Sequence, residues 1–204
     1  MNQKSPRINL SAIILAAGKS VRTSPTNKLL LPFRRKDIIR IVADGIMSIN
    51  FKDVLVVTGF EEDRIRTALQ GYPVRFIHNA DFDEGMGVSI RTGVTHSRPE
   101  TDGYMIVLGD MPWIDRTVLK IMIQSFYTNP DSAVVVPVYK SRRGNPVIFS
   151  RKYRDNLSKL SGDSGARSVI QEFENQVIEV PAKNERLLMD IDTVKDYENR
   201  NQNP

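Results

Sequence analysis

No cysteine occurs in the 204 residues, which excludes disulfides, thiolate catalysis and a cysteine-based zinc site. Histidine is nearly as scarce. His78 and His96 are the only two, so little imidazole is available for acid–base or metal chemistry. No apolar run approaches the length needed to span a bilayer, and residues 1–9 are polar and lack the apolar core of a secretory leader. The expectation is a cytoplasmic protein without a membrane partner. Two phosphate-binding motifs are absent as well: no Gly-Lys-Ser/Thr closes a Walker spacing, and no Gly-x-Gly-x-x-Gly follows a strand.

What is present is ordinary in bulk. The chain is 40% hydrophobic and 26% charged, a composition typical of globular proteins, and its length suits one substantial core. The net charge of +5 fits an anionic small substrate, or a solvated surface, as well as it fits nucleic acid. Arg34, Arg35 and Lys36 form the densest basic run, without the aromatic interleaving of a nucleic-acid module.

The informative stretch is Ala12 to Pro32. Ala12 to Ala16 reads as a buried strand that stops at Ala17-Gly18 and is followed by Lys19, Ser20, Arg22 and Lys28. Small residues let backbone N–H groups approach a ligand, and Arg22 and Lys28 bring the charge a polyphosphate needs. A plainer reading, in which Gly18 only turns the chain and the cations are solvated, stays open.

Downstream, apolar spacing predicts a helix over residues 37–50, a strand from Asp53 to Thr58, a helix from Glu61 to Leu69 and a strand from Val74 to Ile77. This alternation predicts right-handed parallel crossovers and an open sheet with helices on both faces, a three-layer α/β/α architecture with ligands beyond the strand ends. Gly85 and Gly87 open a further helix carrying Ser89, which could expose backbone donors to an anion or simply mark a turn. Tyr104 to Leu108 is the most hydrophobic strand and ends abruptly at Gly109-Asp110-Met111-Pro112. Asp110 thus stands at the sheet mouth, as a hard oxygen ligand for magnesium or as a helix cap, although Asp115 is better placed to cap the helix over residues 115–127.

A strand over residues 133–138 precedes the basic turn Arg143-Gly144-Asn145-Pro146 and a short apolar strand. Residues 152–160 read as helical. Ser161 to Arg167 is a glycine-rich lead into a helix over residues 166–173, and Val177 to Val180 is a last strand. In LLMDIDT, Asp190 and Asp192 share one face of an extended segment, with Ile191 on the other. Asp192 reads equally as a cap for the short helix that follows to about Tyr197. Residues 1–10 and 199–204 are expected to be tails around a domain spanning 11–198.

Together, LAAGKSVR with KLLLP, GDMP, RGNP, SGDSGAR and DIDT resemble the nucleotidyltransferases related to the molybdenum cofactor cytidylyltransferases, of the xanthine dehydrogenase maturation type. The resemblance covers nearly all of residues 11–197, and the five motifs stand in the family's order. Thr23-Ser24 replaces the usual Met-Gly, one extra residue precedes Lys28, and Asn145 stands where the family has histidine. The resemblance implies a Rossmann-like, mostly parallel sheet of the nucleotide-diphospho-sugar transferase type. It also implies transfer of CMP from CTP to molybdenum-loaded molybdopterin, with Mg²⁺ as cofactor and a molybdenum hydroxylase such as xanthine dehydrogenase, with its maturation factors, as partner. Carried over residue by residue, it places Leu15, Ala16, Ala17, Gly18, Lys28, Gly85, Gly87, Ser89 and Asp110 at the nucleotide. Arg22, Lys28 and Asp110 become the catalytic set, and Asp110 with Asp192 the metal ligands. Arg143, Gly144, Asn145, Pro146, Asp163, Gly165 and Arg167 face the acceptor. A sugar- or polyol-phosphate nucleotidyltransferase and a non-catalytic molybdopterin-binding accessory protein remain alternatives.

Overall fold

The computed structural model describes residues 8–20, 27–129 and 134–202. Its strands are β1 (Ile8–Ala16), β2 (Pro32–Phe33), β3 (Lys36–Asp37), β4 (Phe51–Thr58), β5 (Arg75–His78), β6 (Gly103–Leu108), β7 (Val134–Tyr139), β8 (Arg142–Arg143), β9 (Val147–Ser150) and β10 (Val177–Pro181). The helices are α1 (Ile38–Met47), α2 (Glu62–Ala68), α3 (Met86–His96), α4 (Arg116–Thr128), α5 (Arg154–Leu157), α6 (Arg167–Glu172) and α7 (Val194–Gln202). None of the described helices is long and apolar enough to cross a membrane.

The main sheet runs β10-β7-β9-β6-β1-β4-β5, with β8 attached to β7. β9 and β8 run against their neighbours; the other pairings are parallel. β1 is central because its side chains are apolar on both faces. Ala12, Ile14 and Ala16 join α1 and α4 in one cluster, while Ile13 and Leu15 join α3 and α6 in the other. That double burial is what a parallel strand between two helical layers requires. The expected mostly parallel, helix-covered architecture is therefore the observed one.

Several boundaries move. The expected N-terminal tail loses residues 8–10 to β1, because Leu10 is fully buried and pairs with Gly103. The expected C-terminal tail loses residues 199–202 to α7. Its start is capped by Thr193, whose hydroxyl accepts from the Asp196 N–H at 3.0 Å while Asp196 Oδ2 accepts from the Thr193 N–H at 2.9 Å and hydroxyl at 2.7 Å, and the Tyr197 hydroxyl donates to the Pro32 carbonyl at 2.7 Å. The polar sequence of α7 hides a helix that tertiary anchors hold in place. The helix expected over residues 152–160 shrinks to a 3-10 turn, Arg151–Tyr153, and the four-residue α5. Ala133, the expected start of β7, lies outside the described residues.

Gly93 sets how closely α3 lies on the sheet. A Cβ there would stand 2.3 Å from Ile13 Cγ2 and 3.1 Å from Val57 Cγ2. Gly93→Ala gains about 1 kcal/mol of helix preference but forces the layers apart at a larger cost. The expected result is a net loss of about 2 kcal/mol, read as a lower urea midpoint at unchanged slope.

Candidate active site

The site grows from the adjacency of β1 and β6, where Leu15 pairs with Leu108 at the carboxyl ends of both strands. Gly109 then crosses over β1: its N–H donates to the Leu15 carbonyl at 3.0 Å, and a Cβ would lie 2.5 Å from that same oxygen. Glycine is required at this crossing, and it delivers Asp110 beside the loop that leaves β1.

In that loop Ala16 and Ala17 are buried, and the Ala17 carbonyl accepts from the Phe60 N–H at 3.1 Å. Gly18 is exposed with open space around its α-carbon. Lys19 turns outward to Asp83 at 2.8 Å. Asn27, buried, accepts from the Ser20 hydroxyl at 3.2 Å and from the Leu29 N–H at 3.1 Å, starting the 3-10 turn Lys28–Leu30. Arg22 and Thr23-Ser24 lie outside the described residues.

Lys28 Nζ donates to Asp110 Oδ2 at 2.6 Å and to Asp192 Oδ1 at 2.8 Å. Burial pulls the Lys28 pKa down, but the two carboxylates outweigh it and hold the ammonium above its ordinary value. Asp192 reaches the site because the Ile191 N–H donates to the Asp110 carbonyl at 3.1 Å, while the Ile191 side chain is fully buried with Phe33 and Ile38. The alternation expected from DIDT is thus realised. Burial first, and then the charges of Asp192 and Asp110, hold the pKa of Asp190 above the ordinary carboxylate value. Asp110 Oδ1 is buried without a hydrogen-bond partner. Asp115, not Asp110, caps α4, accepting from the Thr117 N–H at 2.7 Å and the Val118 N–H at 3.3 Å. Among the described residues no three carboxylates or imidazoles form a ready-made cation cage.

Asn145, Asp163, Gly165 and Arg167 meet around a cavity of about 150 Å³ whose apolar wall includes Met86, Ile90 and Leu108. Pro146, joined to Asn145 by a cis peptide bond, lies instead on a smaller hollow that Asn145 also lines, with Trp113, Lys183 and Arg186. Arg143 is drawn away from both. Its guanidinium holds Glu174 at 2.5 and 2.7 Å and Glu179 at 2.8 Å, and these bonds push its pKa further up. Gly144 packs against the Leu187 backbone.

The start of α3 is docked on a neighbouring loop. The Gly87 N–H donates to the Gly162 carbonyl at 2.8 Å, and Cβ atoms at Gly85 and Gly87 would strike the backbone of residues 161–162 at 2.4–2.8 Å. These glycines seat one loop on another. Ser89 is buried and accepts from Asn79 Nδ2 at 3.0 Å. Asn79 is absent from the residues that the sequence singles out. Its only signal is a polar residue directly after a strand, and it proves to be buried at the mouth end of β5.

Residues 12–177 match the model of the MobA-like NTP transferase domain. The chain belongs to that family. It is similar to a nicotine blue oxidoreductase of Paenarthrobacter nicotinovorans, 26% identical over 196 residues that cover 91% of this chain and 93% of the relative. A probable molybdenum cofactor guanylyltransferase of Methanosarcina mazei is 27% identical over 204 residues, covering 93% and 88%. The crystal structure of Rv0371c from Mycobacterium tuberculosis H37Rv superposes with a TM-score of 0.82 at 25% identity, covering 96% of this chain and 99% of that one, and its complex with manganese gives 0.79. As a MobA-like family member the protein is a nucleotidyltransferase by class, while neither base nor acceptor follows from membership.

Two substitutions probe how the site is held. Gly144→Ala puts a Cβ 2.1 Å from Leu187 Cδ1 and 2.5 Å from the Leu187 carbonyl, displacing the segment that ends at Asp192. A loss of about 1–3 kcal/mol in denaturant unfolding is expected, with faster amide exchange across residues 185–192. Ser89→Ala leaves Asn79 Nδ2 buried without its acceptor and is expected to cost about 1–3 kcal/mol in the same measurement.

Proposed function

We propose that this protein transfers CMP from CTP to the terminal phosphate of molybdenum-loaded molybdopterin, giving the dinucleotide cofactor and pyrophosphate for a molybdenum hydroxylase such as xanthine dehydrogenase. The observation that carries this reading is Lys28 Nζ within 2.6 and 2.8 Å of Asp110 and Asp192 at the carboxyl end of the central strands. A cation-demanding carboxylate pair beside a small-residue loop suits a triphosphate better than a neutral ligand.

The donor set fits a hard divalent cation. Asp110 Oδ1 is a buried oxygen with a free lone pair, and Mg²⁺ commonly takes one or two carboxylates, leaving the rest of its coordination to water and phosphate. Asp110 and Asp192 would hold it. When bound, Mg²⁺ supplies charge neutralisation for the departing pyrophosphate. The backbone around Gly18 receives the phosphates, Lys28 moves onto the α-phosphate, and Arg22 takes the β,γ-phosphates.

An oxygen of the acceptor phosphate attacks the α-phosphorus, and the bond to the β-phosphate oxygen breaks. The acceptor needs no general base, since the second ionisation of a phosphate monoester has a pKa of about 6. Asn145 in place of histidine is consistent with this. Asn145, Asp163 and Arg167 orient the acceptor around the cavity they share, while Arg143, ion-paired to Glu174 and Glu179, does not take part. Cytidine is preferred on the LAAG and RGNP resemblance, and the guanylyltransferase relative makes GTP the competitor to test.

A second reading has its own observation. The ammonium of Lys28 already pairs with one oxygen of each carboxylate, as it would in an accessory protein that binds molybdopterin without transferring a nucleotide. The deciding measurement is Mg²⁺-dependent pyrophosphate release with molybdenum-loaded molybdopterin, comparing CTP, GTP and ATP. CTP is expected to give the fastest turnover, reduced about 10²-fold or more in Asp110→Ala. Pterin binding without release from any nucleotide favours the accessory protein, and release only with a sugar or polyol phosphate moves the acceptor class.

A further inference from the structure

Lys28 is set rigidly. Asn27 caps its 3-10 turn, Leu29 beside it is buried, and the Lys28 carbonyl accepts from the Leu31 N–H at 3.2 Å. Its side chain is 17% exposed, against 18% for Asp110 and 37% for Asp192, so all three groups meet at the edge of solvent. An ammonium at hydrogen-bond distance from one oxygen of each carboxylate answers the same electrostatic demand that a divalent cation would. Two cations cannot share that position, because at equal separation the repulsion between a dication and an ammonium matches the dication's attraction for one carboxylate and is about twice the ammonium's.

We propose that Lys28 is the resident counter-ion of Asp110 and Asp192, and that a divalent cation enters their site only with a nucleotide whose phosphates draw the ammonium away. The inference rests on the metal role proposed for the two aspartates. Without nucleotide, the apparent metal affinity is the intrinsic affinity multiplied by the small fraction of molecules in which Lys28 has left the carboxylates. Nucleotide and metal then bind with positive coupling, each raising the affinity of the other. Asp110 and Asp192 stay together before substrate arrives, so the site does not fly apart by carboxylate repulsion and does not trap free metal.

The test uses Mn²⁺ alone, with free ion followed by electron paramagnetic resonance on the full chain. Wild type is expected to bind weakly, and Lys28→Met and Lys28→Gln to bind about tenfold more tightly or better. Lys28→Arg, which keeps a bridging cation, stays weak. A larger Mn²⁺-induced rise in Tm for the neutral variants than for wild type gives a second readout if either variant is less stable. Equal Mn²⁺ affinity in wild type and both neutral variants overturns the inference. The metal role is judged separately: Asp110→Asn that, with CTP, takes up as much Mn²⁺ as wild type beyond what CTP alone binds sinks that role, whereas loss of that uptake in Asp110→Asn with no gain in the Lys28 variants leaves the role standing and removes only the counter-ion.

Discussion

The site depends on one constraint, the parallel registry of β1 with β6 that brings Leu15 opposite Leu108 and lets Gly109 cross the end of β1. From that crossing Asp110 emerges beside the loop after β1, and its carbonyl captures the Ile191 N–H, so a segment from the far end of the chain is tied to the same point. Lys28 then closes the arrangement electrostatically. Two carboxylates about 4 Å apart repel by about 4 kcal/mol at the effective dielectric of a protein surface, and a shared ammonium reverses that sign.

Glycine has two separate jobs around this mouth. Gly18 leaves open space next to the backbone, which is what an incoming phosphate requires. Gly85, Gly87 and Gly144 instead let main chain touch main chain, joining the α3 start to residues 161–162 and the 143–146 turn to Leu187. The glycine-rich motifs therefore divide between backbone left open and the seating of one loop on another. The second group shapes the pocket indirectly, by fixing where Asn145, Asp163 and Asp192 stand.

The pocket side shows the same division among cations. Arg143 and Arg167 both sit in glycine-bearing motifs, yet Arg143 is committed to Glu174 and Glu179 whereas Arg167 borders the shared cavity. Family membership gives the reaction class. The assignment of cations to ligands comes from which carboxylates the fold brings near each of them.

Much of this was legible in the sequence. The alternation of apolar strands with amphipathic helices fixed a helix-covered, mostly parallel sheet, because a strand buried on both faces must be apolar throughout. The abrupt stops at Gly18 and Gly109 marked the mouth, and the spacing of Asp190, Ile191 and Asp192 set Ile191 on the face opposite the two aspartates. What the linear chain could not carry were partnerships formed across long separations. Lys28 meets Asp192 at 2.8 Å across 164 positions, Arg143 is taken by Glu174 and Glu179, and Asn79 finds Ser89. The polar helix α7 is likewise held by a hydrogen bond from Tyr197 to Pro32. Local periodicity records whether a residue is buried. Which partner it meets there depends on sheet order and loop docking, and those were decided only by the tertiary structure.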